Sequence, residues 1–146
     1  MVRPAEQTNV KVDVKTIIHS EGHQEKIDLT TSGQFYKKET SSYLQYDEPI
    51  EEGKIHTTVK MMDSELRIMR SGSVKMRLPF RLHKKLRGTY ETPMGQLLTE
   101  TVTKRLEITY NEEKTEGVVD VLYELAVQGS AAGTYHLTIT FKEEGK

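Results

Sequence analysis

Period-two alternation of apolar and polar residues recurs along almost the whole chain, and it restricts the fold more than any other feature. It is clearest from Val74 to Leu82: Val74, Met76, Leu78, Phe80 and Leu82 take one face, Lys75, Arg77, Pro79, Arg81 and His83 the other. Such alternation is the mark of a strand with one buried face. The same pattern opens at Val10, Val12 and Val14 and closes the chain at Tyr135, Leu137, Ile139 and Phe141. No stretch of ten or more residues shows a clear 3.6-residue period. Composition agrees: 17 Thr, 11 Val and 8 Ile stand against 4 Ala, favouring pleated surfaces over helices.

The alternating segments are separated by turn residues. Strands are predicted around 10–19, 27–35, 43–48, 55–61, 66–70, 74–82, 90–92, 97–110, 119–127 and 135–141. Residues 83–88 read as a loop, a helical turn or more strand. Gly33 falls inside a strand and marks a bulge or a sharp bend. Ser71-Gly72-Ser73 reads as a three-residue loop, setting Ile68 opposite Met76 and Leu66 opposite Leu78. Along 97–110, Leu98, Val102, Leu106, Ile108 and Tyr110 share parity with Glu100 and Lys104. Either those charges point inward or a bulge switches faces. Sequential hairpins of this kind favour an antiparallel up-and-down β-barrel of about 8–10 strands, with a sandwich as the alternative. Residues 1–9 read as a tail and 10–146 as one barrel domain.

Chemistry is constrained mostly by exclusion. The absence of Cys removes disulfides, iron–sulfur clusters and cysteine nucleophiles. No phosphate loop, no G-x-G-x-x-G and no metal-ligand spacing is present, so no cofactor is expected. The five histidines are scattered. His19 and His23 flank one hairpin tip, and His136 has no nucleophile motif beside it. Glu100 with Glu91 or Glu124 is the one carboxylate pairing worth checking for catalysis, and no enzymatic motif supports it. No apolar run spans a membrane and no signal peptide is visible, so the cytoplasm is the expected compartment.

The net charge of −1 conceals an asymmetry, with eight Arg and Lys but no Asp or Glu from Leu66 to Tyr90. Arg67, Lys75, Arg77 and Arg81 form an outer basic row that would suit an acidic protein or nucleic acid. The row lacks the interleaved aromatics of nucleic-acid surfaces, which makes a solvated outer face the simpler reading. Arg70 is different. It shares parity with Leu66 and Ile68, so it points inward and lies opposite Thr57. An Arg there clamps an anionic group, satisfies a structural ion pair with Glu100 as candidate partner, or sits at the strand end and snorkels into solvent. The predicted ligand site is therefore Arg70, Thr57 and Glu100, with Met61, Ile68, Met76 and Phe80 as apolar lining for a small, partly apolar anion. The competing reading packs those apolar residues into a solid core. The oligomeric state is left open.

Several segments together are similar to one family. They are Tyr43-Leu44-Gln45-Tyr46-Asp47-Glu48, Leu66-x-Ile68-x-Arg70-x-Gly72, Tyr90-x-Thr92-Pro93-x-Gly95-x-Leu97, and Tyr123-x-Leu125 before Gly129. They resemble the YwiB-like family of small bacterial β-barrel proteins, over residue 10 to the end. The resemblance implies a calycin-like barrel, the architecture of lipocalins and fatty-acid-binding proteins. It carries over no catalytic residues. The chain departs from lipocalins proper: without Trp it cannot hold their Gly-x-Trp signature, and no lid-forming helix pair is visible.

Overall fold

The computed structural model describes residues 7–51 and 53–144. Ten strands follow one another: β1 (Thr8–Ser20), β2 (His23–Lys38), β3 (Ser41–Ile50), β4 (Gly53–Met61), β5 (Leu66–Gly72), β6 (Lys75–Phe80), β7 (Lys85–Thr92), β8 (Gly95–Asn111), β9 (Glu116–Val127) and β10 (Ser130–Glu143). There is no helix among the described residues. Each strand pairs antiparallel with the next, and β10 pairs with β1 from Val10↔Glu143 to His19↔Thr134, closing the barrel. Closure gives every strand two neighbours, which shortens the free edges that an open sheet of this length would expose.

The alternation does what it predicts. Val10, Val12, Leu44, Val59, Leu66, Phe80, Val119, Val121 and Ile139 are fully buried. One end is filled by Phe35 stacked on Tyr110 and Phe141, with ring centroids 4.9 Å apart in both pairs.

Several sequence expectations need correction. β1 begins at Thr8, because Thr8 and Asn9 oppose Phe35 and Gln34; residues 1–6 of the expected tail lie outside the described residues. The β5–β6 register is two residues longer than expected, pairing Ile68 with Leu78 and Leu66 with Phe80. β5 is prolonged because Gly72 still pairs with Ile55 on β4, and the Ser73 N–H donates to the Lys54 carbonyl at 3.2 Å. A two-residue shift preserves which face each side chain takes. Residues 85–88 are strand, pairing with Val102 to Thr99. Beyond Arg77↔Thr89 the β6–β7 ladder stops. Pro79 has no N–H to give, and the Thr101 hydroxyl donates to its carbonyl instead, at 2.7 Å.

Gly33 is no bulge, for the β1–β2 register runs through it unbroken. It is where β2 parts from β3, the last pair being Gly33↔Tyr46. A Cβ on Gly33 would lie 2.3 Å from the Gln45 carbonyl oxygen and 3.1 Å from Tyr46 Cβ. We expect Gly33→Ala to lower stability by about 1–3 kcal/mol, the usual cost of overpacking, read as a lower urea midpoint at unchanged slope. An unchanged midpoint would mean the two backbones are free to separate.

Candidate ligand cavity

The Phe35–Tyr110–Phe141 stack fills the barrel interior at one end, where an open surface hollow borders Met61, Leu82, Leu106 and Ile108; at the other end the interior itself is hollow. A cavity of about 290 Å³ lies between β1, β2, β3, β4, β5, β6, β9 and β10. That is roughly twice the volume of an engineered apolar cavity that takes up benzene. Its wall is mainly aliphatic and aromatic, including Leu29, Ile68, Leu78, Tyr123 and Leu137.

Arg70 projects into this cavity from β5, opposite Thr57 on β4, as parity predicts. Its partner is not the expected one. The guanidinium Nη2 donates to Glu48 Oε2 at 2.8 Å, and both side chains are mostly buried. Glu48 follows Leu44 and Tyr46 on the inward face of β3, so strand parity alone would have placed it here. A guanidinium has five N–H donors, and Glu48 engages one of them among the described residues.

Thr57 is 2% exposed, and its hydroxyl has no hydrogen-bond partner of normal geometry. The Tyr46 phenol is close enough for Thr57 to favour its ionised form slightly. Burial nevertheless dominates and pushes the Tyr46 pKa up to about 12; the Glu48 charge adds to the rise, and Arg70 opposes it. Burial likewise raises Tyr123, again against Arg70. One guanidinium therefore sits within electrostatic reach of two buried phenols, a carboxylate and an unsatisfied hydroxyl. A buried polar atom left unpaired costs about 1–3 kcal/mol, which a ligand's polar end would relieve.

Of the residues expected to form the site, Arg70, Thr57, Ile68 and Met76 line the cavity. Phe80 and Met61 do not. Phe80 is fully buried beneath the cavity, its ring 4.6 Å from that of Tyr123, which in turn stacks on Tyr135 at 5.3 Å. Met61 borders a shallower hollow at the opposite end, with Leu82, Leu106 and Ile108.

Glu100 is excluded from the interior. The register of β8 against β9 shifts between Thr103 and Arg105. Before that bulge Thr99, Thr101 and Thr103 face inward and are buried; after it Leu106, Ile108 and Tyr110 pack against the core, partly buried. Glu100 lies outside with Lys85 at 3.7 Å. The other two carboxylates singled out with it each have a Lys partner of their own, Glu91 with Lys75 at 3.9 Å and Glu124 with Lys104 at 3.1 Å.

The outer basic row is half neutralised, its four cations meeting two carboxylates. Arg67 and Arg81 both pair with Glu65, Arg81 at 3.6 Å, and Lys75 pairs with Glu91. Arg77 has no acidic partner among the described residues. His136 contacts Asp120 at 2.6 Å and Thr138 at 3.5 Å, but through the same Nε2. One nitrogen serving both groups cannot relay a proton from hydroxyl to carboxylate. No group of three metal-ligating side chains occurs among the described residues.

Comparison with known proteins matches this architecture. The chain is 33% identical over 137 residues to the uncharacterized β-barrel protein YwiB of Bacillus subtilis (strain 168), covering 94% of this chain and 95% of that one. The crystal structure of the B. subtilis ywiB protein superposes with a TM-score of 0.86 at 30% identity, covering 97% of this chain and 96% of the other. The resemblance carried by the Tyr43–Glu48, Leu66–Gly72, Tyr90–Leu97 and Tyr123–Leu125 segments therefore holds. The DUF1934 family, described as a domain of unknown function, matches residues 12–139, and the chain belongs to it.

Proposed function

We propose that this barrel is a binding protein for a small, partly apolar anion, held in the cavity with its charged end on Arg70. The observation that carries this reading is the convergence of Arg70, its partner Glu48 and the buried Thr57 on a hollow whose remaining wall is mainly aliphatic and aromatic. Ligand pockets have this make-up: apolar walls and a few aimed polar groups. Glu48 sets the terms of binding. It holds the guanidinium in place, and its charge opposes any second carboxylate brought beside it. The protein needs no cofactor for such a role, and the cytoplasm is the compartment we assign to it. Among the described residues no helix is long and apolar enough to cross a bilayer.

The two members of the pair have opposite expected effects. With octanoate as probe in titration calorimetry, Arg70→Met should weaken binding about 10–100-fold, the loss of a charge-assisted hydrogen bond. Glu48→Gln should strengthen it by removing the competing carboxylate. Arg77→Glu, on the outer face, should leave it unchanged. Octanoate binding that survives Arg70→Met, or that tracks Arg77 and weakens steeply with salt, would transfer the role to the outer face. Native mass spectrometry of the freshly purified protein then identifies any anion that co-purifies and is lost in Arg70→Met.

A further inference from the structure

We infer that the chain forms a two-fold dimer by pairing the free edge of β2 with the same edge of a second copy, antiparallel and centred on Ile27. β2 is covered by β1 on one side from His23 to Phe35, the register running from Ser20↔His23 to Thr8↔Phe35. On the other side β3 covers only Gly33 to Lys38. Extending that register would set Asp47–Ile50 against Ser32–Leu29, but no ladder forms there. Pro49 lacks an N–H, and the Thr31 hydroxyl reaches the Asp47 carbonyl at 3.1 Å instead. β3 ends at Ile50, so residues 23–28 run past it with no strand on that side among the described residues. A row of unpaired backbone donors and acceptors is a template for another strand.

The side chains select both the partner and the register. Ile27 and Leu29 face the cavity, so Gln24, Lys26, Asp28 and Thr30 face outward. In an antiparallel two-fold pair, opposed residues must lie on the same face of the sheet, so one residue always opposes its own copy. Centring on Glu25, Lys26 or Asp28 sets like charges directly against each other, which is destabilising. Centring on Ile27 sets Lys26 opposite Asp28 twice and Gln24 opposite Thr30 twice. It also covers Ile27, an apolar residue 43% exposed on the cavity rim. A lone Lys on an edge deters pairing; Lys26 followed two residues later by Asp28 instead favours the register that opposes the two. The contact is small beside the roughly 1,200 Å² of stable interfaces, so the dimer is concentration-dependent.

Lys26 and Asp28 are exposed, so their substitution leaves the barrel folded, as far-ultraviolet circular dichroism would verify. In sedimentation velocity over a concentration series, the wild-type chain is expected to pass from monomer to dimer. Asp28→Lys opposes Lys to Lys, and Lys26→Asp opposes Asp to Asp; each should stay monomeric. An equimolar mixture of the two variants should recover the dimer, because one chain then presents two Lys to two Asp. A wild-type chain that stays monomeric up to its solubility limit would overturn the proposal. So would single variants that still dimerise, or a mixture that does not.

Discussion

Phe80→Ala is expected to lower the stability of the barrel by about 3–5 kcal/mol, the range for removing a buried aromatic side chain. Phe80 has no solvent exposure. Its ring supports Tyr123 at 4.6 Å, and Tyr123 supports Tyr135 at 5.3 Å, so the stack runs from the packed core to the cavity wall. Removing its base joins a new void to the existing hollow of about 290 Å³. Neighbouring strands are tied into a closed barrel and have little freedom to collapse into the gap, which places the cost toward the upper part of the range. Urea unfolding would show a lower midpoint at unchanged slope. A loss below about 1 kcal/mol, within the range of volume-conserving core swaps, would show that Tyr123 drops into the space. The same variant separates floor from wall. If Phe80 only supports the cavity, the deepened cavity still binds through Arg70, whereas Arg70→Met weakens binding about 10–100-fold and leaves Phe80 and the aromatic stack in place.

Strand parity accounts for most of what could be read from the residues. It told which face each side chain takes, and Arg70 inward opposite Thr57 follows from it directly. Parity says nothing about height along the barrel axis, which depends on how successive registers stagger around the barrel. That is why Ile68 and Phe80, both inward, divide between cavity wall and cavity floor. It is also why closure could not be read locally: the β1–β10 ladder joins residues more than a hundred positions apart.

Glu100 shows where parity itself breaks. Leu98 and Val102 are apolar and pulled the reading toward their own face, yet Leu98 is 56% exposed. The bulge after Thr103 lets three threonines take the interior first and the apolar residues afterwards. Nothing in Thr-x-Thr-x-Thr distinguishes an interior face from an exterior one, since Thr suits both sides of a sheet. Glu48 was missed for the opposite reason. Its parity with Leu44 and Tyr46 was legible, but parity does not say which carboxylate of another strand stands at the height of Arg70.

Stability should fall steeply at alkaline pH, and Tyr46 should be a principal cause. Burial raises the folded-state pKa of Tyr46 from the ordinary 10.0 to about 12, at a side chain only 7% exposed. Below pH 10 the phenol is protonated in both the folded and the unfolded chain, and its contribution is constant. Above pH 10 the unfolded chain releases the proton first. The unfolded state then binds fewer protons than the folded one, and stability declines as pH rises. The decline runs from about pH 10 until the folded phenol itself ionises near pH 12. A two-unit difference corresponds to roughly 3 kcal/mol by the upper end of that window. Tyr123 acts in the same sense, its pKa raised first by burial and next by Tyr135. Urea midpoints measured from pH 8 to 12 should therefore drop more in the wild-type chain than in Tyr46→Phe, which has no proton to lose. Loss of the surface Lys ion pairs also weakens the fold in this range, but equally in both proteins, so the difference between the two curves isolates the phenol. Parallel curves would place Tyr46 in contact with water and remove it from the dry wall of the cavity. A Tyr46→Phe curve that flattens only above pH 10 would instead fix the Arg70 end of the barrel as a low-dielectric site, the setting in which one guanidinium has most purchase on an anion.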